Sequence, residues 1–254
     1  MTVQGSLTPW EWSARSWENC GRRDGQVTDS AQLHVVIPAH NEEALLPRAL
    51  DALNASAAAA GCRLGVLVVA DSCTDATAAT ARAHGADVLP VRLGRVGAAR
   101  HAGFAHLRAT APQAAWLATT DADSAVPTSW CRRLFELSAE GAELIAGTVC
   151  LEPPADPQVP DTLGTRWSAL YATGITPAGH RHIHGANLSF HPRTYDVLGG
   201  FAALAVHEDV DLVTRAEAAG LDVRWPLDIP VTTSRRTDGR SPGGLSDDLK
   251  ELIS

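Results

Sequence analysis

Residues 33–119 alternate between short apolar runs and longer alanine-rich stretches. Apolar runs separated by segments of helical character are the sequence form of a βαβ series, which folds into a parallel sheet covered by helices. We therefore predict an α/β, Rossmann-like domain with a mostly parallel central sheet. The predicted strands are 33–37, 65–70, 87–91 and 115–119, and the predicted helices are 42–59, 75–84 and 94–108.

The chain beyond Pro127 is predicted to form a smaller second part of the same domain, since 254 residues suffice for one large α/β domain. We expect helices to about residue 140, near 163–172 and over 208–219, and strands at 144–149, 184–190, around Val223 and around Val231. The proline-rich segment 153–160 is predicted to be a loop. The expected organisation is an extension over 1–31, a domain over 32–240 divided into 32–125 and 126–240, and a C-terminal helix over 241–254.

Charge and cysteine usage exclude several classes of protein. The formal net charge of -8 argues against nucleic acid as a partner, because phosphate backbones are bound by extended basic surfaces. Five cysteines without a C-x-x-C pair fit neither a disulfide framework nor a structural zinc site. No run approaches the roughly 18 apolar residues of a membrane span, and no export signal opens the chain. We expect a cytoplasmic protein, and leave open a homodimer and peripheral contact with the inner face of the membrane.

Polar and glycine-rich segments follow the four predicted strands. In an open α/β sheet, ligands bind beyond the carboxyl ends of the strands. These segments are therefore expected to contact a base, a ribose, a diphosphate and a metal. The candidate residues at the four strand ends are Pro38, Ala39, Asn41, Glu42, Asp71, Arg95, Arg100, Asp121, Ala122 and Asp123.

Asp121 and Asp123 are the candidate metal ligands. Carboxylates at i and i+2 in a turn can converge on Mg²⁺ or Mn²⁺, which takes oxygen ligands and shares its shell with phosphates. The alternative is that Asp123 and Ser124 cap a helix that begins near Pro127. Asp71 also has two interpretations, as a contact to a base or ribose or as the simple end of a strand, while Asp75 is assigned to helix capping.

Later segments carry candidates for a second substrate. His184, Gly185 and Asn187 lie in a predicted strand, and Glu208 and Asp209 open a predicted helix. Acidic residues are favoured at a helix N-terminus by the macrodipole, but one carboxylate near an acceptor hydroxyl can act as a general base.

Three other features of the sequence have two interpretations each. His180, His182 and His184 alternate, so a zinc site on one face of a strand is an alternative. Arg235 and Arg236 follow the last strand and either contact phosphate oxygens or form a solvated basic turn. The tryptophans of the N-terminal extension either pack on the domain or bind the acceptor; they are Trp10, Trp12 and Trp17.

Taken in order, these segments resemble the family 2 glycosyltransferases with the GT-A fold, over about residues 33–236. VVIPAHNEE resembles the family's opening strand and turn, VVADSCTDAT its D-G-S-T-D segment, GRVGAARHAG its glycine- and arginine-containing segment, and TTDAD its metal-binding D-x-D. HGANLSF and HEDVDLVTRAEAAG resemble the later G-A-N and E-D motifs. The resemblance implies an N-terminal half that binds a nucleotide sugar and a C-terminal half on the acceptor side.

The resemblance also implies roles for the candidate residues. Pro38, Ala39, Asn41, Glu42 and Asp71 would line the nucleoside pocket, Arg95 and Arg100 would lie near the diphosphate, and Asp121, Ala122 and Asp123 would bracket Mn²⁺ or Mg²⁺. Asp209 would be the base of an inverting transfer, with His184, Gly185, Asn187 and Glu208 near the acceptor, a small molecule or a lipid-linked compound.

The sequence departs from the family pattern at the donor base and lacks its processive signature. Ala70 replaces an acidic residue, Ser72 and Cys73 stand for Gly-Ser, and His101 stands where Asn is common. A UDP-sugar is the favoured donor, with GDP- and dTDP-sugars as alternatives. Because the Q-x-x-R-W signature is absent, we expect transfer of a single sugar. The rival functions are a sugar nucleotidyltransferase and a non-catalytic binder of nucleotide sugars.

Overall fold

The computed structural model of the chain describes residues 32–176, 179–239 and 244–253, which contain twelve strands and eight α-helices. The strands are β1 (Gln32–Ala39), β2 (Arg63–Asp71), β3 (Asp87–Val91), β4 (Trp116–Thr119), β5 (Ser124–Ala125), β6 (Leu144–Ala146), β7 (Val149–Leu151), β8 (Ile175–Thr176), β9 (Gly179–His180), β10 (Leu188–Phe190), β11 (Val223–Arg224) and β12 (Val231–Thr233). The helices are α1 (Leu46–Ala60), α2 (Thr77–Ala83), α3 (Val96–Thr110), α4 (Trp130–Ala139), α5 (Thr162–Ala172), α6 (Pro192–Leu198), α7 (Glu208–Ala218) and α8 (Leu245–Ile253).

Seven strands form the central sheet, in the order β11-β6-β10-β4-β1-β2-β3. The pairs β1–β2, β2–β3, β1–β4 and β6–β11 are parallel, whereas β10 runs antiparallel to both β4 and β6. The predicted mostly parallel sheet is therefore confirmed. The strand order reverses at β1, between β2 on one side and β4 on the other, and such a reversal opens a crevice at the carboxyl ends of the strands.

Helices cover both faces of this sheet. On one face α1 and α4 bury Leu46, Leu50 and Leu53 together with Trp130 and Leu134 against the sheet. On the other face Phe104 of α3 packs with an aromatic group of Phe190, Tyr195 and Phe201. Each large aliphatic side chain buried in this way contributes roughly 1.5–3 kcal/mol relative to an exposed one, so the two layers fix the sheet that positions the site.

The first half of the domain follows the predicted pattern with small shifts at the ends of elements. The first helix begins at Leu46 and not at the predicted residue 42, because the carbonyl of Glu42 accepts from the amides of Leu45 and Leu46 in a separate turn. Pro47 then occupies the first turn, where its missing N–H costs nothing. Residues 153–160 form no helix or strand, as predicted.

The second half differs more from the prediction. The strand predicted at 144–149 is two strands, because the chain breaks at Gly147 and Thr148 and β7 joins a second sheet with β12 and β5. The strand predicted at 184–190 is wrong for its first part, where residues Gly185–Asn187 form a turn of 3-10 helix before β10. The sequence pattern did not indicate β5, the pair β8–β9 or α6.

The two termini are described to different extents. Residues 1–31, with their three tryptophans, lie outside the described residues, while α8 lies within the range predicted as a C-terminal helix. It packs on α5, with Leu249 fully buried and the carbonyl of Leu252 accepting from Arg166. None of the helices in the described part of the chain has the length and apolar character needed to cross a bilayer.

Candidate functional site

A cavity of about 840 Å³ opens at the carboxyl ends of β1, β2 and β4. Its walls include the N-termini of α3 and α7, the segment before β10, the residues that follow β12 and the start of α8. Most of the predicted site residues line this cleft: Pro38, Ala39, Glu42, Asp71, Arg95, Arg100, Asp121, Ala122, Asp123, His184, Gly185, Glu208 and Asp209. Residues from both halves of the domain therefore meet in one cavity.

Asp121 and Asp123 lie in the turn after β4, and each is paired with an arginine. Oδ1 of Asp121 lies 2.5 Å from Nη2 of Arg100, and Oδ2 of Asp123 lies 3.0 Å from Nη2 of Arg236. Ser234 also donates to Oδ2 of Asp123 at 2.8 Å. Burial raises the pKa of Asp121, and the ion pair with Arg100 only partly opposes this. Because 36% of the Asp121 side chain remains accessible, its carboxylate can still be reached by a ligand.

The chemistry of this turn fits a hard divalent cation. Both carboxylates face the cleft, and Asp123 does not cap α4, whose N-cap is Ser129. Within residues 32–176, 179–239 and 244–253, no third histidine, cysteine or carboxylate joins them in a ready metal cluster. Mg²⁺ and similar ions bind in this manner through one or two carboxylates, with phosphate oxygens and water completing the shell. Asp121 and Asp123 could thus hold a cation together with a phosphorylated ligand.

Arg100 connects the two halves of the cleft floor. Its guanidinium is 4% exposed and donates both to Asp121 and to Glu208, which is 3% exposed. Burial disfavours the charge of Arg100, but Asp121 and Glu208 outweigh this effect and raise its pKa. The carboxylate of Glu208 therefore forms a buried ion pair with Arg100.

Two glycines make room for the pair of Arg100 and Glu208. A Cβ at Gly97 would lie 2.7 Å from Cγ of Glu208, and a Cβ at Gly185 would lie 2.4 Å from Cζ of Arg100. Both distances are too short for real side chains. In the sequence, this ion pair is indicated only indirectly, by Gly97 in α3 and Gly185 before β10, which leave space for the two side chains.

Asp209 lies in the first turn of α7 and is oriented by two backbone amides. Gly185 donates its N–H to Oδ2 at 2.8 Å, and Val210 donates to Oδ1 at 2.8 Å. The preceding His207 has a left-handed backbone, with φ at 60°, which turns the chain into the helix. The carboxylate is thus held in one orientation at the cleft wall, with lone pairs left to accept a further hydrogen bond.

Asp71 uses its carboxylate to close the turn between β3 and α3. It accepts from the amides of Leu93 and Gly94 at 2.7 Å each and from the hydroxyl of Ser72 at 3.0 Å. These contacts position Arg95, the N-cap of α3, at the cleft. Asp71 also lines the cleft, although only 6% of its surface is exposed.

Asn41 and Asn187 lie outside the cleft lining. Oδ1 of Asn41 accepts from the amide of Thr74 at 2.7 Å and ties the end of β1 to the turn after β2. Asn187 is 1% exposed; its Nδ2 donates to the carbonyls of Thr148 and Ile229, and its Oδ1 accepts from Trp130 Nε1. Both side chains therefore make contacts within the protein, and the ligand contacts predicted for them stay predictions.

The sequence also matches a known protein family. The model of the family "Glycosyl transferase family 2" matches residues 34–191, which is more than half of the chain. The chain belongs to this family. No curated protein sequence matches it significantly.

Solved structures of other glycosyltransferases share the GT-A fold at low identity. The 1–349 fragment of S. aureus TarS in complex with UDP-GlcNAc is 14% identical, with a TM-score of 0.61 over 87% of this chain and 64% of that one. Another structure of S. aureus TarS is 15% identical, with a TM-score of 0.57 over 80% and 37%. The mannosyltransferase PcManGT from Pyrobaculum calidifontis, in complex with GDP-Man and Mn²⁺, is 18% identical, with a TM-score of 0.58 over 83% and 59%. The chain thus spans less than two thirds of each of these proteins.

One hydrogen-bonded pair of this family 2 glycosyltransferase had no signal in the local sequence. The hydroxyl of Tyr171 lies 3.1 Å from Nε2 of the cleft-lining His184 and accepts from the amide of Val149 at 3.1 Å. Burial lowers the pKa of His184 to about 4 and raises that of Tyr171 to about 12, so both side chains are neutral at pH 7. The Tyr171 hydroxyl thus links α5, the start of β7 and the cleft wall.

The alternating histidines of this family 2 member do not share one strand face, contrary to the alternative considered from the sequence. Only His180 lies in a strand, β9, although the imidazole rings of His182 and His184 stack with centroids 6.2 Å apart and the ring of Tyr171 lies 3.8 Å from that of His182. The three histidines form no metal cluster among the residues that the structure describes. They are instead part of a ring stack behind the cleft wall.

Arg236 is a second cleft residue whose contacts could not be anticipated. It binds Glu42 at 2.7 Å as well as Asp123, so it links the ends of β1 and β4 with the segment after β12. Its neighbour Arg235 pairs with Asp161 and does not line the cleft. Of the two predicted phosphate-contact candidates, only Arg236 therefore lies in the cavity.

Proposed function

We propose that this domain transfers a single sugar from a nucleoside diphosphate sugar to an acceptor hydroxyl, with Mn²⁺ or Mg²⁺ held by Asp121 and Asp123 and with Asp209 as the base. The observation that carries this proposal is that Asp121, Asp123, Arg95 and Asp209 line one cavity at the switch point of the sheet. Family membership supports the reaction class.

The diphosphate of the donor is assigned to the region of Arg95 and the N-terminus of α3. Arg95 is exposed and makes no ion pair with another described residue, while Arg100 and Arg236 are both paired. A helix N-terminus favours anions through its free amides and its dipole, and an arginine strengthens this through charge-assisted hydrogen bonds. The nucleoside then lies against the ends of β1 and β2, near Pro38, Ala39 and Asp71.

The chemistry at Asp209 is a proton transfer coupled to substitution at the sugar. Its carboxylate accepts the proton of the acceptor hydroxyl while that oxygen bonds to the anomeric carbon. The bond between this carbon and the diphosphate oxygen breaks, and its electron pair leaves with the nucleoside diphosphate. Attack from the face opposite the leaving group inverts the anomeric centre. A bound divalent metal would neutralise charge building on the leaving diphosphate.

A donor panel tests this proposal. The purified chain is incubated with Mn²⁺ and UDP-, GDP- or dTDP-sugars, with the UDP-sugars favoured, and release of nucleoside diphosphate is followed without acceptor. We expect slow release from one donor class, lost on chelation with EDTA and in Asp121→Asn. Asp51→Asn, an exposed change on α1, serves as the matched control. The absence of both release and binding across the panel would overturn the transferase proposal.

The same assay separates the rival functions. Formation of a nucleotide sugar from a nucleoside triphosphate and a sugar 1-phosphate would identify a nucleotidyltransferase. Donor binding without hydrolysis, and without transfer to any acceptor, would identify a non-catalytic binder. The turn after β1 argues against the nucleotidyltransferase, since Pro38, Ala39 and His40 stand where that enzyme normally has a glycine-rich loop with a basic residue. The intact Asp121, Asp123 and Asp209 argue against the non-catalytic binder.

A further inference from the structure

An apolar strip borders the cleft beside Asp209. It consists of Ile183, Leu204, Ala205, Val206 and Val210, named here the apolar rim. Ile183, Ala205, Val206 and Val210 line the cavity, and Leu204 and Val210 keep 41% and 39% of their surface exposed. Single exposed apolar residues are common, but several apolar residues that line one cavity beside a polar site mark a binding surface.

Apart from Leu204, the apolar rim lines the same cavity as the proposed base. Val206 and Val210 flank the first turn of α7 that carries Asp209, and Ile183 lies two residues before Gly185, whose amide binds the Asp209 carboxylate. A molecule whose hydroxyl reaches Asp209 must therefore place the rest of its body next to these side chains. The geometry connects the rim with the acceptor and not with the donor.

The backbone under the rim is anchored on both sides. Phe201 is buried with Phe104 in the second core layer, and Arg215 donates to the carbonyls of Leu198 and Gly200. On the other side the chain enters α7 at His207. Leu204, Ala205 and Val206 are thus presented by a short segment between two anchored ends.

The charges of the described residues around the rim favour an uncharged acceptor over a strongly anionic one. Three arginines line the cavity, and of these Arg100 is paired with Glu208 and Asp121, and Arg236 with Glu42 and Asp123. Arg95 is assigned to the donor diphosphate. His184 is neutral at pH 7 because burial lowers its pKa to about 4. In the described part of the lining, no further arginine or lysine is available for a phosphate or carboxylate on the acceptor.

We propose that the acceptor is an alcohol with an uncharged apolar body, alkyl or aryl, which lies on the apolar rim while its hydroxyl meets Asp209. This inference rests on the proposed function. Burial of each methylene on such a surface strengthens binding roughly fourfold, which corresponds to about 0.8 kcal/mol. The same chemistry is offered by a soluble alkyl or aryl glycoside and by a lipid-linked alcohol.

A homologous acceptor series tests the proposal. With the donor that the panel identifies, transfer to methyl, butyl, hexyl, octyl and phenyl glucosides is measured, and binding of the same glucosides is titrated in the presence of UDP. We expect KM and Kd to fall roughly fourfold per methylene between the methyl and hexyl compounds and then to level off. A glucose phosphate serves as the anionic comparison and is expected to be a poorer acceptor than hexyl glucoside.

Variants locate the effect on the rim. Val206→Ser and Val210→Ser are expected to flatten the dependence of Kd on chain length, whereas Val197→Ser, a 75% exposed position on α6 outside the cleft, leaves it unchanged. Binding of UDP is measured in each variant to show that the donor side is folded. If chain length affects neither KM nor Kd in the unmodified protein, the inference is overturned.

The outcomes distinguish this inference from the function on which it rests. Donor hydrolysis without any preference for apolar acceptors would support the transferase proposal and contradict the proposal of an apolar acceptor. A preference for glucose phosphate over hexyl glucoside would do the same. Comparison of free octyl glucoside with a long-chain glucoside embedded in phosphatidylcholine vesicles identifies the source, since a preference for the embedded form indicates a lipid-linked acceptor.

Discussion

Arg100 illustrates how a single buried side chain can hold a cleft together. Removing one partner of a buried ion pair leaves an uncompensated charge, which costs about 3–5 kcal/mol. Replacing both partners by apolar residues can restore most of that stability. The pair of Arg100 and Glu208, each under 5% exposed, belongs to this class.

We expect Arg100→Met to lower the free energy of unfolding by about 3–5 kcal/mol, and the double variant with Glu208→Leu to recover only part of it, because Asp121 also loses its arginine. Urea unfolding of the unmodified protein, the single variants Arg100→Met and Glu208→Leu, and the double variant gives the coupling energy between the two residues. Arg108→Met is the control, since Arg108 pairs with Asp196 on the surface and such pairs contribute about 0–1 kcal/mol. Equal losses for the buried and the surface arginine would contradict the ion-pair assignment.

The role of Asp209 is tested by Asp209→Asn, which keeps the shape of the side chain but removes its basicity. We expect kcat to fall about 10²- to 10⁴-fold, with the Kd for UDP unchanged. The change also costs one hydrogen bond to a backbone amide, about 0.5–1.5 kcal/mol, which thermal unfolding monitors. Full turnover of this variant would show that another group accepts the proton.

His184 gives a pH dependence of stability with a defined sign. Its pKa in the folded protein is about 4, below the usual value of 6.5, because burial disfavours the charged ring. The unfolded chain therefore binds a proton at this residue before the folded protein does, and stability falls as the pH drops from 6.5 towards 4.

The difference in unfolding free energy between the unmodified protein and His184→Gln isolates this effect. We expect the unmodified protein to lose stability relative to His184→Gln as the pH falls from 6.5 to 4. Above pH 7 the difference should stay constant. Burial also lowers the pKa of His34, His180 and His191. Because both proteins contain these histidines, their contributions to the pH dependence of stability cancel in the difference. A difference that does not vary with pH would contradict the burial of His184.

At the scale of elements, α3 carries Arg95 and Arg100 to the cleft and must pack closely on the sheet. Gly103 permits this approach, because a Cβ at this position would lie 2.6 Å from Val36 of β1 and 2.7 Å from Val69 of β2. The position of the helix, and with it the position of both arginines, depends on this contact.

We expect Gly103→Ala to destabilise the protein by about 1–3 kcal/mol through overpacking, despite the better helix propensity of alanine. His101→Ala, an exposed change on the same helix, is the control and stays within about 0.5 kcal/mol. Denaturant unfolding gives the unfolding free energy of both variants. A Gly103→Ala variant more stable than the unmodified protein would show that the helix does not approach the sheet so closely.

Much of the element pattern could be predicted, and the reason is local. The parallel strands of the first half are apolar on both faces, so runs such as Val66 to Ala70 stand out whatever the tertiary contacts are. Residues 184–190 could not be predicted in the same way, because their 3-10 turn depends on hydrogen bonds from Asn187 to Thr148 and Ile229, 39 and 42 residues away.

At the scale of the whole molecule, the cleft balances its charges internally. Asp121 and Asp123 are bound by Arg100 and Arg236, which come from α3 and from the segment after β12. The motif residues could be predicted from the order of strand ends. Their ion pairs could not, because Arg236 is 113 positions away from Asp123 and no sequence pattern links the two.

This balance predicts that metal and nucleotide bind cooperatively. A cation must compete with two arginines for the carboxylates, whereas a diphosphate supplies anionic partners to both the cation and the arginines. We expect Mn²⁺ to bind at least about tenfold more tightly with UDP than alone, within the range of ordinary coupling energies. Electron paramagnetic resonance titration of Mn²⁺ with and without UDP measures the factor.

An arginine variant checks the cause of this coupling. Arg236→Gln frees Asp123 and is expected to strengthen Mn²⁺ binding in the absence of UDP, whereas Arg133→Gln, at an ion pair outside the cleft, does not. Equal affinity for Mn²⁺ with and without UDP would contradict the internal competition.

Asn187 has a consequence for how the domain can move. Its buried amide binds Trp130 of α4, the carbonyl of Thr148 at the break between β6 and β7, and the carbonyl of Ile229 ahead of β12, while Gly147 leaves the space that the amide fills. A hinge at that break would strand several buried polar groups at once, each at a cost of about 1–3 kcal/mol. Both sheets therefore move as one body, and any closure over bound substrates must occur in the segments at the edge of the cleft, where backbone amides should exchange fastest.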